Sequence, residues 1–210
     1  MASITLMLVM IISLTSVMAF YNKEVIRQFQ FNAFQVYHKH QYYRMVTHAL
    51  VHANWEHLLV NMIVLWSFGT GGTGVEHYFQ LYFGGNSTWY YLALFVGSVI
   101  LSSVWSLIKQ RNNFYYNAVG ASGAVSAVVF AAIFFKPWNP IYFFGVLPMP
   151  GIIFGMLYLY YSFYMSRKKL DNIGHDAHFL GALIGFCTPI IIRPSLFWDF
   201  VNLLFSPSGQ

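Results

Sequence analysis

Two residues with the chemistry of a nucleophile and a base sit in separate apolar stretches of this chain, each among small residues. Ser122 lies in Gly120-Ala121-Ser122-Gly123-Ala124, and His178 lies in Asp176-Ala177-His178-Phe179-Leu180-Gly181-Ala182-Leu183-Ile184-Gly185. An ionisable group inside a membrane span is costly to keep there and is a functional candidate by default. A hydroxyl that can meet a histidine base in such a setting points to nucleophilic catalysis within a bilayer. Taken singly, each residue also has a plainer reading. Ser122 fits as a small packing residue, and His178 fits as a structural hydrogen-bonding group between helices. A third pair, His57 and Asn61, is spaced i,i+4 and so falls on one helical face. A neutral imidazole N–H and an amide can stabilise a tetrahedral oxyanion without a net charge, or simply make an interhelical polar contact. His52 reads as a residue that ties down the loop before them.

Backbone context sharpens these roles. Ser122 falls at the predicted start of a helix, where the first N–H groups have no partner within the helix and can face developing negative charge. His178, Gly181 and Gly185 share one face, and the two glycines form a Gly-x-x-x-Gly pair that permits close helix contact. Ser126, one turn after Ser122, fits a packing role, and His175 lies one turn before His178, nearer the interface. No carboxylate falls where it would complete a triad, since Asp176 is two residues from His178 and faces elsewhere. The simplest machine is therefore a Ser–His dyad. A soluble α/β-hydrolase elbow is disfavoured because Ala124 replaces the second glycine of Gly-x-Ser-x-Gly. A zinc protease is disfavoured because His-Glu-x-x-His is missing. The chemistry calls for no cofactor and no metal.

The elements that must position these groups are membrane helices. The 210 residues are 58% hydrophobic and 8% charged, whereas a soluble domain carries about 25% charged residues. So few charges cannot cover a globular surface, and the chain is predicted to be an all-α membrane protein. Six spans are expected: Ile4 to Phe20, His57 to Gly71, Tyr90 to Ile108, Ala121 to just before Lys136, Gly151 to Met165, and Ala177 to Ile192. They form a compact bundle with a long membrane-associated first loop, Tyr21 to Trp55. The first span has no basic segment before it and a long apolar run, so it reads as a retained helix and not a signal peptide. No Arg-rich transit peptide is visible. Fifteen Tyr and six Trp suit the membrane interface. The net charge of +5 is spread over eleven scattered basic residues, so no nucleic-acid partner is expected. Arg167-Lys168-Lys169 reads as an interface anchor. Cys187 is a lone cysteine and reads as a packed thiol.

The ordered set of motifs resembles the rhomboid family of intramembrane serine proteases. The resemblance rests on Gly120 to Gly123, on His178 with Gly181, Ala182 and Gly185, and on His57 and Asn61 with His52 ahead of them. Arg44 and Thr47-His48-Ala49-Leu50 resemble the approach to that pair, and Gly74 with Glu76 resembles the turn after it. It covers about Arg44 to Ile192 within a single domain, 1–210. It implies Ser122 as nucleophile and His178 as general base, with His57, Asn61 and the Ser122 N–H binding the oxyanion. The implied substrates are transmembrane proteins cut in or near their helices. The implied setting is a multi-pass protein of a prokaryotic cytoplasmic (inner) membrane. Span five and the loop around Met149 to Gly151 would gate the site.

Two features depart from that pattern. Family members often carry a large or aromatic residue four positions after the serine, packed on the histidine, and here that position is Ser126. Either another aromatic supports His178 or a hydrogen bond holds it. The loops after spans one, three and five hold nine of the basic residues, which by the positive-inside rule would put the first loop in the cytoplasm. The family arrangement is the reverse, with both termini cytoplasmic, and is the orientation expected here. The alternative function is a catalytically inactive rhomboid-like protein that binds transmembrane segments, which the intact Ser122, His178, His57 and Asn61 argue against. A haem- or quinone-binding protein using His57 and His178 would leave Ser122 unexplained. A channel would show flux and no reaction at Ser122.

Overall fold

A computed structural model describes residues 3–143, 146–168 and 174–205. Lys169 of the basic run lies outside the described residues. The helices, in chain order, are α1 (Ile4–Tyr21), α2 (Lys23–Phe29), α3 (Ala33–Lys39), α4 (Arg44–Thr47), α5 (Trp55–Gly69), α6 (Val75–Phe83), α7 (Ser87–Gln110), α8 (Ser122–Phe135), α9 (Gly151–Lys168), α10 (His175–Ile192) and α11 (Leu196–Phe205). Two short antiparallel ladders interrupt the helical pattern. One pairs β1 (Phe31–Asn32) with β2 (Asn117–Ala118), and the other pairs β3 (Pro140–Phe143) with β4 (Leu147–Pro150).

The bundle is built around α8. Every residue from Gly123 to Phe135 is buried, as expected of a helix that is apolar on all sides. Helices α5, α7, α9 and α10 pack around it. With 14 residues, α8 is about 20 Å long, against an apolar bilayer core of about 30 Å. The outer faces are apolar too: Leu59 and Ile63 of α5, Leu101 of α7, Leu157 of α9 and Ile191 of α10 are exposed. Apolar exposure on this scale is what a lipid-facing surface requires and a soluble one avoids. The chain is an all-α membrane protein apart from the two ladders. Three stretches among the described residues are both long and apolar enough to cross a bilayer: Ile4–Tyr21, Val75–Gln110 and His175–Ile192. The expected six-span count thus does not follow from helix length alone, since α5 and α8 have 15 and 14 residues.

Local chemistry sets the helix ends. Asn54 caps α5 by accepting from the His57 N–H at 2.8 Å, which fixes the start of the helix carrying His57 and Asn61. Glu76 accepts from the Ser3 hydroxyl at 3.0 Å and from the Thr5 N–H. Together with a Thr5–Tyr91 hydroxyl contact of 2.7 Å, this seats α1 against the bundle. Ile12, Ser16 and Ala19 of α1 are buried, so α1 is an integral part of the fold.

The first loop folds instead of trailing. Phe31, Ala33 and Val36 form a small core with Met45, Leu107 and Tyr116, and β1 is tied to β2 near the end of α7. Arg44 is buried and donates to Gln41 Oε1 at 2.6 Å and to the carbonyls of Arg27 and Gln30 at 2.9 and 2.8 Å. Two expectations are corrected. Cys187 is exposed on the outer face of α10, beside Gly97 and Ile184, because its neighbours Gly181, Ala182 and Gly185 are the ones turned inward. The Met149–Gly151 segment packs against Pro137, Asn139 and Ile133 at the far end of α8, a helix length away from Ser122, so it does not border that residue.

Candidate active site

The backbone that presents Ser122 is held before the helix begins. The Gly120 N–H donates to the His48 carbonyl at 2.9 Å, and Gly120 adopts φ +113°, a conformation open to glycine and strained for other residues. A Cβ at Gly120 would lie 2.6 Å from His57 Cε1, so the His57 ring rests on the bare glycine two residues before Ser122. The Ala121 N–H points to His52 Nε2 at 3.5 Å. No side chain caps α8. Its first-turn N–H groups are left as donors at the point where Ser122 stands.

The His52 tautomer follows from its partners. The Ser16 hydroxyl gives its proton to the Leu50 carbonyl at 2.9 Å. Its contact of 2.9 Å with His52 Nδ1 is therefore accepted from Nδ1–H, which leaves Nε2 as the acceptor facing Ala121. Burial, with His57 nearby, pushes His52 down to about 3, so the ring is neutral at physiological pH. The His52 and His57 rings meet edge to face, 4.9 Å apart at 76°. Asn61 is buried, and one amide N–H donates to the His57 carbonyl at 2.8 Å. The second N–H is not used by that bond.

Helix α10 reaches the serine because its contact face is bare. A Cβ at Gly181 would lie 2.0 Å from the Gly123 carbonyl oxygen, and one at Gly185 would lie 2.0 Å from the Ala127 carbonyl oxygen. At this separation His178 Nε2 lies 2.7 Å from Ser122 Oγ, within the range for a nucleophile and its base. Both residues are half-buried. Asp176 does not face the histidine and pairs instead with Lys109 at 3.2 Å, fastening the start of α10 to the end of α7. His175 is buried against Tyr161 of α9 and His178.

Comparison with known proteins gives the family. The family model described as the Rhomboid domain matches residues 39–195. The chain belongs to the rhomboid family. It is 26% identical over 180 residues to the RHOMBOID-like protein 12, mitochondrial, of Arabidopsis thaliana, covering 81% of this chain and 54% of that protein. It is 30% identical over 145 residues to the Rhomboid protease GluP of Bacillus subtilis (strain 168), covering 69% of this chain and 25% of that protein. The chain thus spans about half the length of the first relative and a quarter of the second.

This rhomboid also has a feature that the local motifs do not contain. Tyr158 of α9 lies stacked beside His178, with ring centroids 6.4 Å apart at 20°. The Tyr158 hydroxyl lies 2.6 Å from Ser126 Oγ, and Ser126 in turn donates to the Ser122 carbonyl at 2.8 Å. The aromatic ring missing at position 126 is supplied from another helix, and Ser126 is the group that holds it. Sequence reasoning identified the vacancy at Ser126 but not its occupant. Tyr158 sits in a tyrosine-rich run, and no spacing rule distinguishes it from Tyr160 or Tyr161. Ser16 on α1 was likewise invisible, because its role depends on where α1 docks.

Proposed function

We propose that this chain is an intramembrane serine endopeptidase that hydrolyses peptide bonds in or near the helices of transmembrane substrates, with Ser122 as nucleophile and His178 as general base. The observation that supports this reading most strongly is the 2.7 Å approach of His178 Nε2 to Ser122 Oγ, at the uncapped start of a helix. Ser122 Oγ attacks the scissile carbonyl carbon as its proton passes to Nε2. The resulting oxyanion takes hydrogen bonds from the Ser122 N–H, from His57 and from the second Asn61 N–H. Collapse of the intermediate expels the amine, which leaves with the proton from His178. A water, deprotonated by the same nitrogen, then hydrolyses the acyl-enzyme. A helical peptide bond is shielded by its own hydrogen bonds, so the substrate has to be locally extended before attack. The same reading makes the chain one domain of six spans, with α5, α8 and α9 completing the bundle. It sets Ser122 toward the extracytoplasmic side of a prokaryotic cytoplasmic membrane, with the lateral path to it beside α9.

The direct test is labelling of the purified protein in mild detergent with a fluorophosphonate. Wild type should label at Ser122, Ser122→Ala should not label, and His178→Ala should label at least about 1,000-fold more slowly. A folded, monodisperse wild type that does not label would favour the inactive binder of transmembrane segments. Wild-type labelling of His178→Ala would remove His178 as the base.

A further inference from the structure

Helix α9 holds its place by a shallow apolar seam. Only Gly151, Gly155 and Ser162 are buried along its length, while Met156, Leu157, Tyr160, Tyr161, Phe163 and Tyr164 are exposed. Its inward side chains Phe154, Tyr158 and Leu159 rest on Val129, Phe130, Ile133 and Ala182. Across this seam runs a directed polar chain. The Ser126 proton is committed to the Ser122 carbonyl, so the Tyr158 O–H donates to Ser126 Oγ. One tyrosine thus touches both halves of the reacting pair. Its ring lies on His178 within the offset-stacking range, and its hydroxyl reaches through Ser126 to the carbonyl of Ser122.

We propose that Tyr158 is a positioning residue for His178, and that its bond to Ser126 makes alignment of the base conditional on α9 being seated against α8. When α9 moves outward, the ring leaves the imidazole and the hydroxyl leaves Ser126, so the Ser122–His178 pair loses this support. When α9 returns, the pair realigns. The nucleophile is then fully activated only while the side of the bundle bearing α9 is closed. An open site exposes Ser122 to water and lipid without a well-aligned base. This inference rests on Ser122 and His178 being the reacting pair.

A small fluorophosphonate separates alignment from access, because it does not need α9 to open. If Tyr158 only latches α9, Tyr158→Leu leaves the labelling rate unchanged or raises it. If it positions His178, the rate falls by about 100-fold, the usual cost of misplacing a reacting group. Tyr158→Phe keeps the ring, and Ser126→Ala removes the hydroxyl partner. Each is expected to slow labelling by about 10-fold, and the double variant no further, because either change alone breaks the chain from Tyr158 through Ser126 to the Ser122 carbonyl. Restoring an aromatic from α8, with Ser126→Tyr in the Tyr158→Leu background, should recover most of the rate, which a general loss of stability would not allow. Thermal melting of each variant checks folding, and Tyr158→Phe remains informative if Tyr158→Leu does not fold. Losses that multiply to about 100-fold in the Tyr158→Phe, Ser126→Ala double variant would overturn the coupling. A wild-type rate in Tyr158→Leu would overturn the positioning role. Absence of labelling in wild type would instead overturn the reading of Ser122 itself.

Discussion

Gly120 bears on the active-site geometry from a position that carries no reactive group. It combines φ +113° with a backbone bond to His48 and a Cα surface on which the His57 ring rests. A methyl group there cannot be accommodated without moving the imidazole, since it would fall 2.6 Å from Cε1 and 2.8 Å from Nε2. Gly120→Ala is expected to slow fluorophosphonate labelling by about 100-fold through misplacement of His57 and the Ser122 turn. The accompanying backbone strain should cost about 1–3 kcal/mol of stability, read by thermal melting. A labelling rate equal to wild type would mean that His57 takes no part in binding the oxyanion. At this scale the candidates Ser122, His178, His57 and Asn61 stand out in the sequence because each belongs to a short local pattern. Tyr158 and Ser16 were not, because what makes them matter is a neighbour on a different helix.

The contact between α8 and α10 depends on two missing side chains. Gly181 and Gly185 face the carbonyls of Gly123 and Ala127 at distances that leave no room for a Cβ, and the 2.7 Å Ser122–His178 contact exists only at that helix separation. Gly185→Leu should therefore separate the helices, destabilise the protein by about 3 kcal/mol and abolish labelling. Gly97 of α7 provides the control. Nothing lies within 4 Å of a Cβ built there, so Gly97→Ala should leave the labelling rate unchanged and the melting temperature unchanged or slightly raised. An equal loss of stability in the two variants would show that the α8–α10 contact is not responsible, since both changes raise helix propensity. The long apolar helices and the Gly-x-x-x-Gly face were readable because hydropathy and spacing both repeat along one element. The short α6 and α11 and the β3–β4 ladder were not, because segments of 9, 10 and 4 residues leave little periodic signal and are fixed by what they pack on.

Across the whole molecule, charge is used sparingly and part of it is committed to fixed partners. Arg44 is buried among backbone carbonyls, Arg27 is paired with Glu24, and Lys109 is paired with Asp176. A count of basic residues on each side of the bundle therefore includes Arg44, which is committed to the fold and is a poor guide to orientation. The same scarcity determines how the protein responds to acid. With six Asp and Glu residues against eight His, buried histidines and not carboxylates should dominate its acid sensitivity. Burial lowers His48 to about 4, and burial with His57 nearby lowers His52 to about 3, both from an ordinary value of 6.5. The unfolded chain takes up these protons first. Stability is therefore fully present above about pH 6.5 and falls as the pH drops toward 4, by about 1.4 kcal/mol per pH unit for each histidine. Melting curves in detergent between pH 8 and pH 4.5 should show the decline, and the His48→Gln, His52→Gln double variant should show a flatter one from a lower starting value. A decline of the same slope in the double variant would assign the acid sensitivity to other groups. Because the His52 ring nitrogen faces the Ala121 N–H, its protonation should release the Ser122 turn along with the fold. Labelling of Ser122 should then be lost over the same pH interval as the folded signal, and labelling that persists after the fold is lost would separate the two.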